Sequence, residues 1–250
     1  LTAMQSFILA KILGPEGFGE VSLFSLILVY VNLTGFGFDS VAAREIPGYV
    51  TSRKKEDLNH IKNLSFSVEM TLRVAICVIV AMVGLFFFTG TLRTGILLIS
   101  IVLLFDRLSG FYQLMANALK EFPALARASM LQGLLIGVFS ILLVKFAGVY
   151  TRLIANLCGQ AAMVYYLSVK VPLDLRFELR SKRFWKILSM GLPFVALNIV
   201  FYLWQASDRT LVAKFMDFRM LGVYSFAVSC IQLLLSFTGD VNTVLQPFMY

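Results

Sequence analysis

Apolar runs long enough to cross a bilayer follow one another along this sequence, separated only by short polar loops. A membrane-spanning helix needs about 20 predominantly apolar residues. Of the 250 residues, 59% are hydrophobic and only 14% are charged, which is too little charge to cover the surface of a soluble domain. The runs are continuous rather than alternating, unlike the strands of a membrane β-barrel. The sequence therefore predicts an all-α membrane protein.

We expect about eight transmembrane helices on these runs. Their predicted ranges are 1–13, 18–38, 66–88, 95–117, 128–147, 149–170, 187–207 and 220–241. The first range is shorter than a complete span and lacks the pattern of a cleavable signal peptide, so we expect none here. The longest connector, about 39–65, carries the charged run Arg53-Lys54-Lys55-Glu56-Asp57 and is expected to be a solvated amphipathic loop.

Lysine and arginine are distributed unevenly between the two sides of these spans. The loops after the second, fourth and sixth spans and their edges carry 13 of the 22 basic residues, and the opposite side carries 7. Basic residues collect in cytoplasmic loops. The N-terminus and the even-numbered loops are therefore predicted to be cytoplasmic. The net charge of +8 then reflects loops near anionic lipid head groups, and no nucleic-acid partner is expected.

An internal repeat relates the start of the chain to its last part. The segment Ala10–Gly19 resembles Ala213–Gly222 at a constant offset of 203 residues, and Ser22 falls on Ser225 at the same offset. Two copies separated by six spans share one orientation and pack about an axis along the membrane normal. We expect a six-helix N-terminal lobe over 1–175, a basic cytoplasmic linker over 176–186, and the truncated start of a second lobe over 187–250, so that the chain is a fragment of a longer protein.

Several short motifs, taken in order, carry a family resemblance. They are Phe7–Gly19, Gly35–Asp39 with Ala43–Ile46, Gly191-Leu192-Pro193, Ser207-Asp208-Arg209 and Gly222–Ser225. In this order they resemble the polysaccharide-biosynthesis flippases, the Wzx-like O-antigen transporter group of the multidrug/oligosaccharidyl-lipid/polysaccharide exporter superfamily. The resemblance implies part of a MATE-like two-lobe transporter with a central cavity, namely one six-helix lobe plus the first two helices of the second lobe, in the cytoplasmic (inner) membrane.

The resemblance also implies a function. Members flip an undecaprenyl-pyrophosphate-linked oligosaccharide, such as an O-antigen, capsule or exopolysaccharide unit, across the cytoplasmic membrane by alternating access. The implied partners are this lipid-linked substrate, membrane lipids, and a polysaccharide polymerase with other assembly proteins. Two alternatives stay open, a cation-coupled multidrug exporter of the same superfamily and a non-transporting membrane enzyme or scaffold.

Charged residues inside the predicted spans are candidates for a substrate-binding site. Each such charge costs about 2.5–3.5 kcal/mol on insertion scales, so it tends to face a water-filled cavity or a partner. Asp106 and Arg107 lie near the middle of the fourth span. Arg107 either faces an anionic substrate group, or both residues are neutralised by neighbouring helices. Glu69 and Arg73 are four residues apart on one helix face, so Arg73 is either a cavity cation or paired with Glu69.

Other candidates follow from spacing and from position at span ends. Arg152, Asn156 and Gln160 recur every four residues, so they share one face of the sixth span, which we expect to point inward. The remaining substrate-binding candidates are Arg44, a possible partner for pyrophosphate, and Asp208 with Arg209, although Arg209 alternatively reaches lipid head groups. Asp39, Glu69 and Asp240 are candidates for charge relay or gating.

Enzymatic chemistry finds little support in the sequence. The single histidine, His60, lies in a charged loop, and no paired acids or nucleophile–base set recurs at useful spacing. The glycines at 14, 17 and 19 lack the Lys-Ser/Thr of a phosphate-binding loop. The three cysteines stand alone, without a Cys-x-x-Cys pair. We therefore expect no enzymatic activity, no metal and no cofactor.

Overall fold

Helices make up nearly all of the described part of the computed structural model. The structure describes residues 2–33, 35, 37–178 and 184–249, without the side chains of 2–4 and 234–249. The helices are α1 (Thr2–Asn32), α2 (Phe38–Thr51), α3 (Lys55–Phe87), α4 (Gly90–Ala118), α5 (Phe122–Ala147), α6 (Thr151–Lys170), α7 (Phe184–Phe215) and α8 (Phe218–Met249). A 3₁₀ turn, Gly148–Tyr150, joins α5 to α6. The all-α class is confirmed.

Five helical stretches of the described chain are long and apolar enough to cross a membrane. They are Gln5–Asn32, Lys55–Phe87, Gly90–Ala118, Phe122–Lys170 and Phe184–Phe215, and a shorter apolar helix covers Phe218–Leu233. Large apolar side chains such as Phe146 and Trp204 are exposed on α5 and α7, as a surface facing lipid requires. These helices fit a multi-pass membrane protein, whereas the number of eight crossings stays a prediction.

Helix α1 is broken at Gly14, where φ is 69° and ψ is 179°. Glycine adopts a positive φ without the steric cost that a side chain would bring. Pro15 follows, and its fixed φ suits the first turn of a new helical segment. The break therefore lies at the predicted boundary between the first two spans. The position 203 residues later is Asp217, between the end of α7 at Phe215 and the start of α8 at Phe218.

The connector predicted over 39–65 is helical, so the expectation of a solvated loop there was wrong. Helix α2 ends at Thr51, and α3 begins at Lys55. The buried residues of α2 are Phe38, Val41, Ala42 and Ile46, whose spacing places them on one helix face. This face packs against buried residues of α3, α4 and α7, while the turn around the basic run and the opposite face of α2, including Arg44, are exposed.

Helix α4 lies at the centre of the bundle. Its buried residues belong to three separate clusters of the core. The first cluster joins α4 to α2, α3 and α7, the second joins it to α1, α3 and α6, and the third joins it to α5 and α6. Phe111 and Met115 lie in the first of these clusters, Ile99 and Leu103 in the second, and Ala116 in the third. Polar residues in the middle of α4 are consequently surrounded by other helices rather than by lipid.

Helices α1 and α8 approach each other closely at two glycines. A Cβ atom added to Gly19 would lie 1.9 Å from the carbonyl oxygen of Phe218, and one added to Gly222 would lie 1.9 Å from that of Pro15. The two contacts are reciprocal, because Gly19 and Pro15 correspond to Gly222 and Phe218 at the offset of 203 residues. Small residues permit such close backbone approach between apolar helices. The internal repeat of the sequence therefore coincides with a two-fold-like contact.

We expect Gly19→Ala and Gly222→Ala to destabilise the packing of α1 on α8, because either methyl group would overlap a carbonyl oxygen. Overpacking typically costs about 1–3 kcal/mol, so the melting temperature in detergent should fall for both variants. Gly137→Ala in α5 is the matched control, since nothing lies within 4 Å of a Cβ added there. Equal melting temperatures for all three variants would contradict this contact.

Candidate functional site

Buried charges gather around the middle of α4. Arg107 Nη2 lies 2.9 Å from a carboxylate oxygen of Glu69 on α3, and it also forms an ion pair with Asp39 at the start of α2. Both contacts are ion pairs without a hydrogen bond, since Arg107 Nη2 has no hydrogen-bond partner of suitable geometry. The Glu69 side chain is only 4% exposed, and a buried carboxylate without a cation would be costly. This ion-pair network of Asp39, Glu69 and Arg107 therefore links α2, α3 and α4.

Arg73 differs from Arg107 in having no carboxylate within ion-pair distance in the described structure. Glu69, four residues earlier on the same helix, pairs with Arg107 instead. Asp106 accepts a hydrogen bond from Gln160 Nε2 at 2.9 Å. Arg73 is 4% exposed, and its Nη1 is buried without a hydrogen-bond partner. Arg73 is thus a buried cation with an unsatisfied donor.

A polar cavity of about 370 Å³ opens beside these groups, and we call it the central cavity. Its lining includes Asn32, Arg73, Asp106, Arg107, Gln113, Gln132 and Tyr202. These residues come from α1, α3, α4, α5 and α7, so the cavity lies between helices that are distant in sequence. Ligand sites typically occupy about 300–1,000 Å³ and contain a few convergent polar groups. The central cavity meets both conditions.

A second polar pocket, of about 150 Å³, lies farther along α1, α6 and α7. Its lining includes Arg152, Arg209, Ser6, Ser22, Ser225 and Ser229, and we call it the arginine–serine pocket. Seven residues separate Ser25, which lines this pocket, from Asn32, which lines the central cavity. At 1.5 Å per residue this spacing corresponds to about 10 Å of helix. The two pockets therefore lie one after the other along the same helices.

The structure brings most of the candidate residues to one of these two places. Arg73, Asp106 and Arg107 line the central cavity, while Asp39 and Glu69 contact Arg107 and Gln160 contacts Asp106. Arg152 and Arg209 line the arginine–serine pocket. Asn156, between Arg152 and Gln160 on α6, is half-buried.

Arg44 and Asp208 lie apart from both pockets. Arg44 is exposed on α2 and borders an apolar cleft beside Pro193. Asp208 accepts a hydrogen bond from the Tyr224 hydroxyl at 2.6 Å. Asp240 lies outside the residues whose side chains the structure describes. No group of three or more His, Cys, Asp or Glu side chains suited to a metal ion occurs among the described residues.

Sequence reasoning missed the uncharged polar residues of both pockets. Gln113, Gln132 and Tyr202 are isolated polar residues in apolar helices, and no spacing distinguishes them. The serines of the arginine–serine pocket do follow a pattern in the sequence. Ser225 and Ser229 are four residues apart on one helix face, and Ser22 occupies the position equivalent to Ser225 in the repeat.

We expect Arg107→Gln to destabilise the protein, because it leaves the carboxylates of Asp39 and Glu69 without a cation. Removing one member of a buried ion pair typically costs about 3–5 kcal/mol. The double variant Arg107→Gln/Glu69→Gln should recover part of this loss, since it carries one uncompensated carboxylate fewer. The unfolding free energies of both single variants and the double variant, measured in detergent, give the coupling energy between Arg107 and Glu69. If the destabilisations of the two single variants add up to that of the double variant within about 0.5 kcal/mol, the ion pair is contradicted.

Comparisons with known proteins give a family and a fold. A family model described as polysaccharide biosynthesis protein matches residues 8–249. A solved structure, named protein A, matches with a TM-score of 0.66 and 18% sequence identity, covering 99% of this chain and 61% of that one. The chain thus spans less than two thirds of that solved protein and shares its fold over this length. No curated protein matches the sequence significantly.

Proposed function

This chain belongs to the polysaccharide biosynthesis protein family, and we propose that it acts in flipping a lipid-linked oligosaccharide across the cytoplasmic membrane. The observation that carries this proposal is the central cavity, a polar and cationic space inside an apolar helix bundle. The hydrocarbon core of a bilayer solvates neither sugar hydroxyls nor phosphate charge. A hydrophilic head group can cross only where protein supplies polar groups and water.

We assign the anionic group of the substrate to Arg73. Its guanidinium is buried and keeps an unpaired Nη1, whereas Arg107 already contacts two carboxylates. A guanidinium presents a planar fork of donors that fits phosphate oxygens. A diphosphate such as that of undecaprenyl pyrophosphate would satisfy the donor that the protein leaves open. The amides of Gln113 and Gln132 both donate and accept hydrogen bonds, which suits sugar hydroxyls.

Two equivalent halves moving against each other would give such a cavity alternating access to the two sides. The reciprocal contacts at Gly19 and Gly222 support an arrangement in which α1 and α8 occupy equivalent places in two lobes. In this proposal α1–α6 form one lobe and α7–α8 begin the second, with the central cavity between them. The uneven distribution of basic residues supports a cytoplasmic location of the even-numbered loops.

The charge balance of the cavity separates this function from cation-coupled drug export. An exporter of cationic drugs would be expected to leave an acidic group free for its substrate. The acids near the central cavity have partners: Asp39 and Glu69 form ion pairs with Arg107, and Asp106 accepts a hydrogen bond from Gln160. One oxygen of Asp39, Oδ1, is buried without a hydrogen-bond partner. Arg73 is instead the cation of the central cavity that has no carboxylate within ion-pair distance in the described structure, which favours an anionic substrate.

Complementation of a bacterial strain that lacks its own oligosaccharide flippase tests the proposal. The protein that contains this sequence, expressed at its natural length with matching glycosyltransferases, should restore surface polysaccharide. Arg73→Gln should reduce the amount about tenfold or more, because hydrogen bonds to charged groups contribute strongly to binding. Arg93→Gln is the matched control, since Arg93 is exposed near the start of α4 and Arg107 lies near the middle of this helix.

The two parts of the proposal fail separately in this experiment. Wild-type amounts of polysaccharide from Arg73→Gln, at equal protein levels in the membrane, would exclude Arg73 as the anion-binding group. Absence of surface polysaccharide with the unmodified protein, while lipid-linked oligosaccharide accumulates on the cytoplasmic side, would contradict the flippase function itself.

A further inference from the structure

The arginine–serine pocket receives two guanidinium groups and no carboxylate from the lining residues that the structure describes. Arg152 comes from α6 and Arg209 from α7. The acid adjacent to Arg209 in sequence, Asp208, is engaged elsewhere, because its Oδ2 accepts a hydrogen bond from the Tyr224 hydroxyl at 2.6 Å and its Oδ1 accepts one from the Arg209 backbone N–H at 2.7 Å. Two like charges inside an apolar bundle are unfavourable unless an anion joins them.

Unsatisfied donors in this pocket point to the same conclusion. Ser225 is 5% exposed and its hydroxyl has no hydrogen-bond partner, whereas the equivalent hydroxyl of Ser22 donates to the Phe18 carbonyl at 2.8 Å. Arg209 Nε is likewise buried without a partner. Buried polar groups in proteins are nearly always satisfied by protein, water or ligand. The guanidinium of Arg209 and the hydroxyl of Ser225 thus leave donors available from two different helices.

The size of the pocket limits what it holds. Its volume is about 150 Å³, close to that of a cavity that accommodates one benzene molecule. Sites for larger ligands typically measure about 300 Å³ or more. The pocket therefore accepts a phosphate or diphosphate group but not an oligosaccharide.

We propose that the arginine–serine pocket is a second oxyanion site, which binds the diphosphate of the lipid-linked substrate after it leaves the central cavity. Arg152 lies at the start of α6, eight residues before Gln160, and Arg209 lies seven residues after Tyr202 on α7. Both spacings place the pocket about 10 Å beyond the central cavity along these helices. The predicted orientation puts this end of the bundle on the external side. The inference rests on the proposed function.

Titration of inorganic pyrophosphate into the natural-length protein in nanodiscs of neutral phosphatidylcholine tests the site. Binding is measured by thermophoresis in an Arg73→Gln background, which removes the unpaired cation of the central cavity. We expect Arg152→Gln and Arg209→Gln each to weaken binding about tenfold or more, and Ser225→Ala to weaken it about threefold. Arg93→Gln, an exposed arginine on α4, should bind as the background protein does.

A second arm distinguishes a lipid head group from a free anion. Nanodiscs that contain undecaprenyl pyrophosphate should show weaker binding of added pyrophosphate, because the lipid already occupies the site, whereas nanodiscs with the same fraction of phosphatidylglycerol should not. Full pyrophosphate affinity in the presence of undecaprenyl pyrophosphate would overturn the assignment to a lipid-linked diphosphate.

Each further outcome also decides a specific point. Unchanged pyrophosphate affinity in both Arg152→Gln and Ser225→Ala would overturn the site. The Ser225→Ala variant keeps the test valid if Arg152→Gln misfolds, because it removes only a hydroxyl that has no hydrogen-bond partner. Arg73→Gln alone abolishing pyrophosphate binding, together with wild-type pyrophosphate affinity of the Arg152→Gln single variant, would place all binding in the central cavity. That result would overturn the second oxyanion site and leave the proposed function intact. If the pocket binds pyrophosphate in a protein that fails to flip substrate, the oxyanion site stands and the proposed function fails.

Discussion

A charge placed inside an apolar helix bundle must find a partner, and the position of α2 depends on this requirement. Arg107 lies on the central helix α4 and contacts carboxylates from both α2 and α3. The turn into α2 passes through Gly37, whose φ of 75° favours glycine, and a Cβ there would lie 2.5 Å from the Gly191 carbonyl oxygen on α7. The ion-pair network, the apolar face of α2 and this close approach to α7 together hold α2 at one end of the bundle, next to the central cavity.

The arginines inside the bundle then divide into two kinds. Arg107 is neutralised by the network and stabilises the arrangement of helices. Arg73, Arg152 and Arg209 have no carboxylate within ion-pair distance in the described structure, and they line the two polar pockets. A protein that leaves cations unpaired in an apolar environment loses stability by doing so, and retains them where an anionic ligand supplies the missing charge. This division is the structural basis on which we propose an anionic substrate.

Hydropathy and spacing predicted the helices well, because the length and apolarity of a run determine whether it forms a long buried or lipid-facing helix. The two places where α1 and α8 meet lie at equivalent positions of the repeat, but the repeat alone did not predict that these segments contact each other. Helix α2 was not predicted, because the basic run after it resembles a solvated loop, whereas the apolar spacing of Phe38, Val41 and Ile46 is that of a buried helix face.

The partners of the charged residues were not predictable from sequence to the same degree. The spacing of Glu69 and Arg73 favours a pair along one helix, yet Glu69 contacts Arg107 from another helix. Which charge is satisfied depends on how the helices pack, and single-sequence spacing contains no such information. The serines of the second pocket and the amides of the central cavity are ordinary residues individually, and only their meeting in space makes them a site.

Accessibility of single cysteines to a membrane-impermeant thiol reagent tests most directly whether the two pockets form one polar path. In a chain whose native Cys77, Cys158 and Cys230 are replaced by alanine, Gln113→Cys in the central cavity and Ser25→Cys in the arginine–serine pocket should react with a charged maleimide. Leu134→Cys, on the exposed apolar face of α5, should react only with a lipid-soluble reagent. Protection of both cavity positions from the charged reagent, or labelling of all three positions alike, would contradict a polar path through the bundle.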